Sequence, residues 1–328
     1  RNFGTLKEVE ELGRVGAIAW EENRKQDVQI ITGRLELIQA QAEAESNLDL
    51  PLLEALGNAY QNVRTPGPAI NVYEQILRQV RQQQDLTKEE EILNIIAEFQ
   101  LAWFDYCQAA KTYQELLSLT STQIGTAKQL FYLEKLVYIY EQDKLPKKAI
   151  IVKNLLAPFY CDLSELNYAN LENVVNSPQL ENLINYCGLE NIDKLASLAL
   201  SVADDYTATE QLELAKEHYQ AAFQLSWLIQ KFTTASDALQ KLARLYQKYE
   251  QPEVALQIYE QLLILEQHAL NQYNQMKAYD EMGELYLQLD NYQEALAVFI
   301  KGLNIAQSLS YQEAYFQKKI TQVEQFLP

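Results

Sequence analysis

Glycine and proline are scarce in this 328-residue chain, ten and eight in number. That is too few for the turns of a many-stranded protein, so the 48% apolar content must be buried by helices. The three cysteines, Cys107, Cys161 and Cys187, contain no CxxC spacing. One disulfide with a free thiol and three buried thiols both fit. His218 and His268 are the only histidines and form no HExxH pattern. With no phosphate-cradling glycine loop and no nucleophile elbow either, the reading is non-enzymatic. Apolar runs stay well short of the roughly 18 residues that would cross a bilayer. Cations are short as well: 27 Lys and Arg against 45 Asp and Glu leave a formal charge of -18. Such a surface repels phosphate backbones and anionic headgroups and leaves basic proteins and divalent metals as partners. The chain opens on Arg1, which is compatible with a removed upstream signal, so a cytoplasmic and a periplasmic location both stay open.

What the chain has in abundance is repetition. Around Gly283 stand Met282, Tyr286, Ala295, Phe299 and Gly302. Forty residues earlier the same places hold Leu242, Ala243, Tyr246, Ala255, Tyr259 and Leu262, and forty earlier again Val202, Ala203, Tyr206, Ala215, Tyr219 and Ala222. A second block has the same spacing. Gly57, Tyr60, Ala69, Tyr73 and Ile76 form one repeat; Ala97, Ala109, Tyr113 and Leu116 the next; Val137, Tyr140 and Ala149 a third. A weaker repeat opens the chain at Ala17 and Trp20, with Gln29 and Gly33 at its later places. Pro66, Pro146 and Pro252 each fall nine residues after their repeat's reference position, where a proline fits between helices.

This pattern resembles the tetratricopeptide repeat, with its small residues at positions eight and twenty and aromatics at eleven and twenty-four. The family repeat is about 34 residues, two antiparallel helices and a turn; at 40 residues this is a long-helix variant. The resemblance implies an all-α, α-solenoid fold. Helix axes that approach to about 8–10 Å need small residues at the crossing. That accounts for a glycine inside the helix around Gly283, despite a cost of about 1 kcal/mol relative to alanine.

Between the blocks the register slips, since Val137 to Ala203 is 66 residues. Ser177 and Pro178 read as a helix start there and Gly188 as a helix stop. The expected domains are therefore residues 1–160, about four hairpins; 161–195, an atypical helical linker; and 196–328, three hairpins and a final helix. Tyr315, Phe316, Ile320, Val323 and Phe326 or Leu327 lie at helical spacing in that last helix. It reads as a C-terminal cap over the last repeat.

In the tetratricopeptide family the first helix of each repeat lines a concave groove. Carried onto this sequence, the groove positions bring out Glu54, Asn58, Gln61, Asn62, Asn94, Glu98 and Tyr138, acidic and amide-rich, and later the basic Arg244 and Lys248. An asparagine amide bonds both the N–H and the C=O of an extended peptide, so the expected ligand is a protein or peptide. Asp204 with Asp205, and Asp280 with Glu284 a turn apart, are candidate oxygen ligands for a divalent metal. The glutamine-rich texture is also similar to cyanobacterial repeat proteins, among them the periplasmic processing-associated tetratricopeptide protein of photosystem II assembly. That second resemblance implies manganese as cargo and the tail of a membrane-protein precursor as ligand.

Overall fold

The computed structural model describes residues 2–122, 126–162 and 179–327. It is all-helical, with no strand among those residues. The expected start at Ser177 and Pro178 lies outside them. The chain forms two compact units that meet in sequence at Lys144 and Leu145.

The first unit contains α1 (Asn2–Glu21), α2 (Lys25–Ala44), α3 (Leu50–Asn62), α4 (Pro66–Gln83), α5 (Leu86–Ala102), α6 (Tyr106–Leu119) and α7 (Ala127–Gln142). Each packs on its neighbours along the chain, and α1 also lies directly against α3. Aspartates start several of these helices. The carboxylates of Asp49, Asp85 and Asp105 accept the N–H of Leu52, Lys88 and Gln108 at 3.1, 3.0 and 3.2 Å, filling donors that a helix start leaves open.

The second unit contains α8 (Pro146–Tyr160), α9 (Gln179–Cys187), α10 (Leu189–Ala208), α11 (Leu212–Leu228), α12 (Phe232–Lys248), α13 (Pro252–His268), α14 (Gln272–Gln288), α15 (Tyr292–Leu309) and α16 (Glu313–Glu324). Helices α8 and α9 pack on α10, and from α10 to α16 each helix packs on the next. Four consecutive helices, α11 to α14, are 17 residues long and start 20 residues apart. The 40-residue repeat is thus two equal helices and two three-residue links. This chain-neighbour packing in each unit makes it an α-solenoid, in which no hairpin buries its apolar face alone.

The small residues sit where the recurrence puts them. Ala203, Ala215, Ala243, Ala255 and Ala295 are all fully buried. A methyl group added to Gly283 would lie 2.4 Å from ring carbons of the buried Phe299. Nothing but hydrogen fits there. Pro66, Pro146 and Pro252 occupy the first turns of α4, α8 and α13, where a missing N–H costs no helix bond. The opening repeat differs from the sequence reading. Its close approach is made not by Ala17, which is only partly buried, but by Gly13 and Gly16, whose added methyls would meet Ala59 and Val63 of the α3 end at 3.1 and 2.4 Å. The reason is that α1 crosses α3 as well as α2.

The turns are uniform and do not use glycine. Glu210, Gln230, Glu250, Leu270 and Asp290 all hold the left-handed conformation, with φ between 54° and 59°. In each case the residue and its successor donate back to the helix end: Leu270 N–H to Gln267 O at 3.1 Å and Asn271 N–H to Glu266 O at 2.9 Å. This is the Schellman closure, made with side chains that raise its cost by about 1–2 kcal/mol each over glycine. Gly188 is the exception, at φ 82° between α9 and α10. It is the helix stop expected there.

The final helix covers the last repeat. Phe316 and Val323 are buried against α15, the Phe316 ring lying over Gly302, and Phe326 stacks on Tyr292 at 4.9 Å. Cys161 and Cys187 form a disulfide with Cα atoms 5.5 Å apart, inside a small core with Leu183, Ile192 and Leu195. Cys107 is exposed and free. Of the two cysteine states open from sequence, the structure has the one with a bridge.

Candidate functional site

Helix α3 buries Leu52, Leu53, Leu56, Gly57, Ala59 and Tyr60, which turns Glu54, Asn58, Gln61 and Asn62 outward at helical spacing. Helix α5 buries Ile92, Leu93, Ile96 and Ala97 and presents Asn94 and Glu98 a turn apart. Two clefts open on this face. One, of about 370 Å³, lies between α1 and α3 and is lined by Glu10, Gly13, Glu54, Asn58 and Asn62 among others. The other, of about 520 Å³, lies between the ends of α3 and α5 and is lined by Gln61, Arg64, Pro66, Asn94, Ile95, Glu98, Phe99, Ala102 and Trp103. Both volumes are in the range of small-ligand and side-chain pockets.

Six of the groove residues read from sequence therefore line two neighbouring clefts: Glu54, Asn58 and Asn62 one, Gln61, Asn94 and Glu98 the other. They are held from within. The Tyr73 hydroxyl donates to Asn58 Oδ1 at 3.3 Å, and the Tyr113 hydroxyl to Glu98 Oε1 at 2.8 Å. In the second unit Tyr219 does the same to Asp204 at 2.7 Å. In these three repeats the tyrosine of the second helix thus fixes a residue of the first helix fifteen positions earlier. Asn62 donates to Gly13 O at 3.3 Å, and Asn94 to Glu90 O and Tyr132 Oη at 2.9 Å each. Burial, reinforced by Glu54 and Glu91, pushes the Tyr73 phenol up to about 12, so it stays a neutral donor at any physiological pH.

Lysines link successive first helices. Lys88 bridges to Glu54 at 3.0 Å, Lys128 to Glu90 at 2.9 Å and Lys135 to Glu98 at 3.1 Å. The hydrogen bond to Glu54 is the largest of the causes that raise the Lys88 pKa. Arg64, in the lining of the larger cleft, holds no such carboxylate among the described residues. Tyr138 on α7 is 47% exposed and lines neither of these clefts.

The remaining sequence candidates lie in the second unit. Arg244 and Lys248 are exposed one turn apart on α12, with Lys248 5.5 Å from the Tyr249 ring. Asp204 and Asp205 point to different lysines, Asp204 to Lys241 at 2.7 Å and Asp205 to Lys153 at 2.6 Å. Glu284 pairs with Lys319, and Asp280 accepts the Tyr315 hydroxyl at 3.0 Å. Among the described residues no three His, Cys, Asp or Glu side chains gather as a cation cage. The histidines pack on aromatic rings, His218 on Tyr206 and His268 on Trp227, at 5.1 and 5.3 Å between centroids.

The sequence reading missed the apolar half of the larger cleft. Ile95, Phe99 and Trp103 follow Asn94 and Glu98 along α5, and Trp103 is 61% exposed. Phe104, beside it, holds the left-handed turn position while 73% exposed. Two consecutive aromatics at a turn that elsewhere carries Arg64, Glu250 or Asp290 were the available signal.

Helix hairpins in series, with small residues buried at their crossings and Schellman links between them, decide the fold. It is tetratricopeptide-like. Neither a family model nor a curated protein sequence matches the chain. Among solved structures it is similar to BtubC from P. vanneervenii, at 14% identity and a TM-score of 0.42, covering 75% of this chain and 92% of that one. MamA matches at 17% identity and a TM-score of 0.41, over 66% and 96%. Aspartyl phosphate phosphatase F from Bacillus subtilis matches at 14% and 0.43, over 98% and 83%. With TM-scores below 0.5, these likenesses decide nothing about what the chain binds.

Proposed function

We propose that the chain is a non-enzymatic interaction scaffold whose first unit binds an extended protein segment across α1, α3 and α5. The observation that carries this reading is the larger cleft, lined by apolar Ile95, Phe99 and Trp103 together with polar Gln61, Asn94 and Arg64. An exposed tryptophan beside adaptable amides and an arginine is the composition of an interaction hot spot. Because Tyr73 and Tyr132 already hold Gln61 and Asn94, these two amides have little side-chain entropy left to lose on binding. Manganese delivery is the weaker reading, since Asp204, Asp205 and Glu284 each hold a lysine, and a bound lysine must leave before a cation enters.

Selection of a displayed random-peptide library on the wild-type protein tests the site. Peptides should be enriched on wild type and lost on Trp103→Ala, with matched helical spectra. Peptides retained by Trp103→Ala, and likewise by the Asn58→Ala and Asn62→Ala pair, would move the site elsewhere.

A further inference from the structure

The two clefts differ in charge, and this difference selects a ligand sequence. In the cleft between α1 and α3 the charged lining groups are Glu10 and Glu54, and Lys88 already engages Glu54. Glu10 is left over. In the cleft between α3 and α5 they are Arg64 and Glu98, and Lys135 and Tyr113 already engage Glu98. Arg64 is left over there among the described residues, in a lining that it shares with Phe99 and Trp103. The smaller cleft therefore favours a cationic side chain and the larger one an apolar side chain that brings no positive charge of its own.

Helix α3 separates the clefts, and a helix with its side chains is about 10 Å across, so groups seated on its two sides stand on the order of 10 Å apart. An extended chain advances about 3.3 Å per residue, which places residues three apart over the two clefts. Resting on the peptide-binding reading above, we propose that the ligand segment carries a lysine or arginine and a large aliphatic or aromatic residue three positions apart. The basic side chain enters between α1 and α3 and the apolar one lies on Trp103. The charge of -18 on the chain steers such a cationic segment toward the protein at low salt.

Fluorescence anisotropy on labelled Ser/Gly-rich peptides separates the parts of this inference. Lys-x-x-Leu peptides should bind about tenfold tighter than Glu-x-x-Leu peptides and better than Lys and Leu set six apart. In Glu10→Gln, whose fold is checked by circular dichroism, the preference for lysine should fall to about threefold or less. Equal affinity for the lysine and glutamate peptides, or for the two spacings, overturns the inference. If library peptides still bind in a Trp103-dependent way, the site survives without the motif. If no peptide from either set binds, both readings fall.

Discussion

The two units use similar residues for different ends. In the second, ionisable groups are drawn inside: Lys153 is 1% exposed and bonded to Asp205 and Ser201, and Glu266, also 1% exposed, accepts from Ser236 and Asn274. A disulfide joins the ends of α8 and α9 in the same unit. In the first unit, by contrast, Trp103 and Phe104 lie largely in water, and the outward polar side chains of α3 and α5 frame clefts. The same repeat thus carries the most deeply buried ionisable groups in one unit and polar-lined clefts beside exposed aromatics in the other. Burying an ion pair fixes geometry without adding much stability, whereas an aromatic left in water adds little of its burial energy to folding.

The sharpest break of this contrast is at Lys153. Lys153→Met leaves Asp205 without its cation and should lower unfolding stability by about 3 kcal/mol, read by chemical denaturation. Adding Asp205→Leu should recover most of it. A loss well under 1 kcal/mol for the single variant would mean that the buried pair does not anchor α8. Next comes Cys161→Ser, which opens a loop whose ends are 26 positions apart in sequence and should cost about 3 kcal/mol; a reductant should reproduce the loss in wild type and do nothing further to the variant. Gly283→Val, facing Phe299 in the second unit, should cost about 2–3 kcal/mol by overpacking, while Gly67→Ala in the first unit, with open space around it, should not destabilise. A smaller effect of opposite sign is expected from Leu270→Gly, which relieves a left-handed turn residue and should add about 1 kcal/mol, seen as a higher melting temperature.

The smallest expected effect is that of pH on His218. Burial, the largest cause, pushes its imidazole below the ordinary value of 6.5, so as pH falls the unfolded chain takes up the proton first. The stability that His218 contributes is complete above about 6.5 and is lost as pH drops through the lower folded value. His218→Gln should therefore show a shallower loss of melting temperature between pH 7.5 and 5 than wild type. Identical slopes would place the proton uptake on another group.

Much of the frame was legible. Ala203, Ala243 and Gly283 are buried at their crossings, the prolines start helices, and the last helix covers its repeat through Phe316 and Val323. These features depend on side-chain size and on spacings of three, four and twenty residues, which a sequence displays directly. In the weaker opening repeat the close approach falls to Gly13 and Gly16 and not to Ala17, because α1 packs against α3 and not only against its hairpin partner. The division of the chain between Lys144 and Leu145 falls within the repeat marked by Val137 and Ala149, whereas the sequence divisions were drawn at residues 160 and 195. Helix α8 shares a core with α10 through Ile150, Val202 and Ala203, a pairing that crosses the region where the register slips.

By itself, then, the sequence determined the helical period, the crossings and the choice of face for Glu54, Asn58, Gln61, Asn62, Asn94 and Glu98. The tertiary structure alone decided which charges are already taken: Asp204 by Lys241 from 37 residues away, Asp205 by Lys153 from 52, Glu98 by Lys135 from 37. It also decided that Trp103 and Arg64 share a cleft. Periodicity is a property of one helix and is written in neighbouring residues, but charge pairing and cleft shape follow from the distance between helices, which depends on how every intervening side chain packs.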